Sequence, residues 1–204
     1  MKIISLLVPL SLLVAQSHAA VIYSGLKDFI ITTNFDGIYL DVDAGNLVAI
    51  DTVGWDINPF FGGEGIANSP SFHPVAATVA LDAPVLNLTS GQTVDGSSLF
   101  ASTYPGGYSS SAIHVGNSAG QFVSGSEGYI GFSITTNDSL GPYFGWMRVV
   151  LANNGSTGLI RDWAYEDSGL GITTGTATSA IPEPTVLTLG LVCAAGFTLR
   201  RRRS

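Results

Sequence analysis

Tyr143-Phe144-Gly145-Trp146-Met147-Arg148-Val149-Val150-Leu151, the loop Ala152-Asn153-Asn154-Gly155-Ser156 and the run Thr157-Gly158-Leu159-Ile160-Arg161-Asp162-Trp163-Ala164-Tyr165 read together as a β-hairpin. Both flanking runs are rich in aromatic and β-branched residues, and the Asn-Gly pair between them accepts the positive φ that tight hairpin turns require. Outward from this unit the period-two pattern recurs. In residues 129–135, Ile130, Phe132 and Ile134 fall on one side and Tyr129, Gly131, Ser133 and Thr135 on the other. In residues 37–43, Ile38, Leu40 and Val42 alternate with Tyr39, Asp41 and Asp43, while 47–53 and 75–81 are further β-branched-rich candidates. No long amphipathic helical pattern occurs between residues 20 and 180, and Gly, Ser, Asn and Pro punctuate the chain at short intervals. The expectation is an all-β body over residues 20–167, an antiparallel β-sandwich or jelly-roll-like fold. Residues 168–180, rich in Gly, Thr and Ser, read as a flexible linker.

The 204 residues suit one ordinary domain, and a single Cys excludes an intramolecular disulfide framework or a multi-thiolate metal site. Between residues 20 and 180 only Lys27, Arg148 and Arg161 oppose 14 acids, a formal charge of about −11. Such a body has too few cations to neutralise phosphates, so nucleic acid is not an expected partner, and anionic membranes are disfavoured.

The cations missing from the body sit at the ends. Met1-Lys2, the apolar run 3–15 and Ser17-His18-Ala19 have the three parts of a secretory signal peptide over residues 1–19. Cleavage is expected between Ala19 and Ala20, after export through the Sec translocon. At the other end, residues 186–199 are uncharged, and Arg200, Arg201, Arg202 and Arg203 follow at once. A 14-residue helix spans about 21 Å, short of the roughly 30 Å hydrocarbon core, a gap that snorkelling arginines and local thinning close. The expected single transmembrane helix keeps its arginines on the cytoplasmic side and the body outside.

Pro182-Glu183-Pro184 stands directly before this helix. Each Pro lacks an N–H and holds its predecessor extended, which makes an accessible protease substrate or a stiff spacer. The Pro-Glu-Pro triplet, the short apolar helix and the terminal arginines, in this order over residues 181–204, resemble the PEP-CTERM sorting signal, with Thr185 where Ser is more usual. The resemblance implies recognition by an exosortase, a membrane-embedded cysteine-dependent processing enzyme of exopolysaccharide-producing Gram-negative bacteria. It also implies transient anchoring in the inner membrane before delivery to the cell surface or extracellular matrix. Gly145-Trp146-Met147-Arg148-Val149 with Asp162-Trp163-Ala164-Tyr165-Glu166 is similar to the closing hairpin of β-rich bodies that precede such tails.

Chemistry is sparse between the two ends. His73 and His114 stand outside zinc-site spacings, and the Gly-x-Ser-x-Gly elbow of α/β hydrolases is absent, leaving Ser109-Ser110-Ser111 as loop. Glu64, Glu127 and Glu166 are the carboxylates a secreted glycoside hydrolase would need in a pair about 5 to 10 Å apart. Asp36, Asp41, Asp43 and Asn46, with Gly45 nearby, offer hard oxygen ligands at a spacing suited to Ca²⁺, although solvent-facing strand positions explain Asp41 and Asp43 equally well. Trp146 and Trp163 fit a core, whereas Trp55, in Gly54-Trp55-Asp56-Ile57-Asn58, is the better surface aromatic for stacking on a sugar. Cys193, inside the apolar helix, reads as a packing residue. The functional expectation is a non-catalytic structural or adhesive protein of the cell envelope, without a required cofactor. The alternatives are a carbohydrate-binding module for exopolysaccharide, assisted by Ca²⁺, and a secreted glycoside hydrolase.

Overall fold

The computed structural model describes residues 20–49, 53–102 and 114–177. The expected signal peptide with Ala19, the serines 109–111 and the sorting tail 181–204 with its helix therefore lie outside the described residues. Numbered along the chain, the strands are β1 (Val21–Tyr23), β2 (Phe29–Ile31), β3 (Tyr39–Asp41), β4 (Asn46–Val48), β5 (Ile57–Phe60), β6 (Gly65–Asn68), β7 (Phe72–Pro74), β8 (Thr93–Val94), β9 (Glu127–Ile134), β10 (Tyr143–Val150), β11 (Gly158–Glu166) and β12 (Ile172–Thr173). Among the described residues the only helical element is the 3₁₀ turn Phe61–Gly63, and no helix is long and apolar enough to cross a membrane.

The fold is all-β, and every strand pairing is antiparallel. One sheet runs β1-β11-β10-β9-β7 with β2 also on β11, a second runs β4-β3-β5-β6, and β8 pairs with β12. The Asn-Gly hairpin forms the centre of the first sheet as β10 and β11, with Asn154 (φ 54°) and Gly155 (φ 75°) both left-handed in the turn. Its register slips between Arg148 and Val149, where Asp162 pairs with Arg148 but Ile160 pairs with Val149. Arg161 is thus the extra residue of a β-bulge. The bulge explains how Ile160 and Trp163, three apart, both enter one core although a regular strand would set them on opposite faces. Opposite it the first edge strand breaks: β1 and β2 flank residues 24–28, whose Lys27 and Asp28 amides both donate to Arg161 O (2.8 and 3.2 Å).

Both faces of this sheet are buried. Ile130, Phe132, Ile134, Met147, Val149, Trp163 and Tyr165 pack with Leu40, Ile57 and Ile66 from the second sheet. Phe144, Trp146 and Ala164 face the other way, toward Val75, Val94 and Ile172. Gly131 makes that second layer fit, since a Cβ there would meet Leu88, Val75 and Val94 side chains at 2.7–2.8 Å.

Three expectations change. The strand expected at 37–43 ends at Asp41, because residues 42–45 form a turn closed by Gly45 N–H on Asp41 O (3.0 Å). The strand expected at 75–81 reduces to single bridges at Val75 and Ala76, its pairing having shifted upstream to β7, which meets β9. The linker expected at 168–180 is, over residues 168–177, part of the body. Ile172 is 4% exposed in the second core, Thr174 N–H donates to Gln92 O (2.8 Å) and Trp146 Nε1 donates to Thr176 O (2.9 Å). A Gly/Thr-rich composition misleads here because an isolated Ile and the Thr hydroxyls suffice for a two-residue edge strand. Ile172→Asp is expected to destabilise the protein by about 3 kcal/mol in urea unfolding, where a true linker position would tolerate it within about 0.5 kcal/mol.

Candidate functional site

The β3–β4 turn gathers the carboxylates. Asp41 closes β3, its Oδ1 accepts the Ala44 N–H (2.8 Å), and the turn brings Asp43 back beside it. Val42, between them, is buried, and its carbonyl accepts the indole N–H of Trp163 on β11 (3.0 Å). Asp56 arrives from the start of β5. Its amide donates to Leu40 O (2.8 Å), its Oδ2 accepts the Val42 N–H (2.7 Å) and its Oδ1 accepts the Ser71 hydroxyl (2.8 Å). One oxygen from each of Asp41, Asp43 and Asp56 lies within 4.8 Å of the other two. The loop after β9 closes the cluster, with Asn137 Nδ2 donating to Asp41 Oδ2 (3.1 Å) and Asn137 N–H to Asp43 Oδ2 (3.0 Å).

Three carboxylates this close cannot all ionise cheaply. Burial pushes Asp56, 2% exposed, up to about 7, against the opposing pull of the Val42 amide and Ser71 hydroxyl. Asp43 is also raised, chiefly by burial and further by Asp41, while the Asn137 amide pulls the other way. Burial and then the Asp43 charge raise the Tyr165 phenol, which stacks on Tyr143 (6.2 Å, 11°). Among the described residues Asp43 Oδ1 is out of solvent without a hydrogen-bond partner. An all-oxygen, anionic donor set with one acceptor left over fits a hard divalent cation, held by Asp41, Asp43 and Asp56.

Only part of this centre follows from the sequence expectation. Asp41 and Asp43 belong to it. Asp36 does not, since β3 carries it away and its carbonyl accepts from Asn58 Nδ2 (2.7 Å). Asn46 pairs with Asp41 across the hairpin, yet its amide donates to Leu47 O (3.3 Å). Asp56 and Asn137 were missed; the polar Asp56 beside Trp55 in an otherwise strand-like run is the one local signal. Trp55 itself is half-buried and meets Tyr39 edge-on (5.4 Å, 88°).

Elsewhere several titratable groups are engaged in structure. Glu127 is opposite Val150 and Glu166 opposite Phe144, six residues or about 20 Å apart along β10, so these two do not form a glycosidase pair. Glu166 accepts the Ser168 and Leu170 amides (2.9 and 2.7 Å), and Glu127 pairs with Arg148 and Arg161. Arg148 grips the buried Asp162 bidentately (2.9 and 2.6 Å), and the Tyr23 hydroxyl donates to the same carboxylate (2.8 Å), which raises that phenol. His73 Nδ1 lies 3.0 Å from Ala101 O, while His114, fully buried, accepts the Val85 N–H at Nδ1 (3.0 Å).

Two outcomes follow. Burial pushes His114 down to about 4. The unfolded chain therefore takes up its proton near 6.5 while the folded one does not, and stability from this site falls as pH drops from about 6.5 to 4. Ring NMR signals of His114 that stay neutral at pH 5 are the check. In EDTA the Asp56 carboxyl carbon is expected to titrate near 7; if the cluster holds Ca²⁺, millimolar Ca²⁺ is expected to drive it into the ordinary carboxylate range and raise the thermal midpoint, with no rise in Asp56→Asn.

No family model, no curated protein and no solved structure matches the chain.

Proposed function

We propose that the chain is an exported bacterial protein, processed by an exosortase and delivered to the cell surface or extracellular matrix, where its β-sandwich body plays a non-catalytic structural or adhesive role. The observation that carries this reading is the sequence of the tail, with Pro182-Glu183-Pro184, the uncharged residues 186–199 and Arg200 to Arg203 in that order, opposite the signal-peptide pattern of residues 1–19. Export with cleavage after Ala19 gains support from the start of the body. Ala20 N donates to Asp167 Oδ1 (2.8 Å), and Asp167 N–H returns a bond to Ala20 O (3.0 Å). A freed ammonium at Ala20 would turn that bond into a charge-assisted one. Intact-mass analysis of the protein released by an exosortase-positive host is expected to show Ala20 as first residue and the arginine tail removed. Replacing Pro182, Glu183 and Pro184 by Ala leaves the tail attached and the protein in the membrane fraction. A wild-type chain that keeps residues 186–204 in the inner membrane overturns the sorting reading.

A second reading, a carbohydrate-binding body assisted by Ca²⁺, is favoured by the carboxylate cluster with the unpartnered Asp43 Oδ1. A glycan array probed with the full chain separates it from a purely structural role. Retention that EGTA removes supports it, and no retention with or without Ca²⁺ eliminates it.

A further inference from the structure

A shallow groove of about 190 Å³ opens where β3 meets β4, lined by Asp36, Gly37, Ile38, Tyr39, Leu47 and Val48. It lies at the opposite end of β3 from the carboxylate cluster. We propose that this groove binds one ring of an uncharged, hydroxyl-rich saccharide, an inference that rests on the carbohydrate-binding reading and gives it a site.

The groove is preformed. Asn58, buried on β5, spends both amide protons on its wall, donating to Asp36 O (2.7 Å) and Ile38 O (3.1 Å). Gly37 sits between those carbonyls at φ 60°, pressed so close to Pro59 O and Phe60 that a Cβ has no room. Side-chain chemistry then differs along the lining. Among the described residues the exposed Asp36 carboxylate takes no hydrogen bond and no ion pair, so its oxygens are open to hydroxyl donors. Val48 and Tyr39, paired across the hairpin, share one face while Leu47, 41% exposed, turns to the other, so apolar residues border the groove on both sides, and Trp55 braces Tyr39 edge-on. Immediately before Asp36, Phe35 leaves 60% of its surface in solvent and rests on Phe60 and Phe61 (5.6 and 5.9 Å). Phe61 holds φ 51°, an outlier for a bulky residue, through its N–H on Asn34 O (3.1 Å), so this aromatic group is kept at the surface against backbone preference.

These features select among occupants. A sugar ring is itself two-sided, with C–H faces for carbon surface and hydroxyls for a carboxylate. An apolar peptide offers the Asp36 carboxylate only widely spaced backbone N–H donors, whereas a sugar ring carries adjacent hydroxyls that reach both of its oxygens. A second copy would set one body of about −11 against another. An anionic polymer meets no cation, since none lines the groove. The volume, below the roughly 300 Å³ at which drug-sized sites begin, fits one ring of a chain lying across the surface.

Affinity electrophoresis of the full chain in gels containing dextran, hydroxyethyl cellulose or alginate tests the proposal, with Asp36→Asn and Leu47→Arg as exposed-site variants and Leu170→Ala, at an exposed position outside the groove, as a control. Retardation by a neutral polymer is expected, weakened about tenfold in Asp36→Asn, abolished in Leu47→Arg and unchanged in Leu170→Ala, with equal thermal midpoints for all four. If wild type is retarded but both groove variants match it, the groove is wrong and the carbohydrate-binding reading survives. If no gel retards the wild type, both fall. Retardation by alginate alone overturns the uncharged class.

Discussion

The hydrogen bond from the Trp163 indole to Val42 O joins two parts of the molecule that the chain separates by 121 residues. Trp163 stands on the central hairpin, almost wholly buried, and Val42 is the residue between the two aspartates of the β3–β4 turn. A buried indole N–H without an acceptor costs roughly 1–3 kcal/mol, so the turn must lie where its carbonyl reaches β11. Once there, the Val42 N–H points to Asp56, and the three carboxylates are committed to one another. Lys27 completes the arrangement by placing its ammonium 5.9 Å from the Trp163 ring and on Gly45 O (3.1 Å), at the far corner of the same turn. The site is therefore a consequence of how the two sheets are pinned together.

The β-bulge at Arg161 is the geometric condition for this pin. Without the extra residue, Trp163 and Ile160 would alternate out of phase, and either the indole or the isoleucine would leave the core. The bulge also sends Arg161 to the side, where it meets Asp28 (3.1 Å) and Glu127 (3.5 Å), and leaves Asp162 facing Arg148. One inserted residue thus serves the core on one face and a charge network on the other.

How much of this was legible in the sequence follows from range. The Asn-Gly hairpin and the alternation of Ile130, Phe132 and Ile134 are local patterns, and the structure follows them within a residue or two. The bulge is not local information: Leu159-Ile160-Arg161-Asp162-Trp163 reads equally well as a regular strand until its partner fixes the register. Asp41 and Asp43 were readable as neighbours, whereas Asp56 and Asn137 join them only through a sheet crossing and the β9–β10 loop. Residues 168–177 mislead for a related reason, since composition describes what a segment prefers alone, and Ile172 has the second core to enter.

The charge distribution carries this logic to the surface. All three cations between residues 20 and 180 are engaged within the body: Lys27 on the turn, Arg148 on Asp162, Arg161 on Asp28 and Glu127. Among the described residues the remaining acids form no ion pair, and the field outside the body is that of a polyanion. Screening confines that field to about 10 Å at ordinary salt, but contact with another polyanion falls within this distance. Association with another polyanion through this acidic surface is therefore disfavoured, and the carboxylate cluster and the groove stand at the two ends of β3.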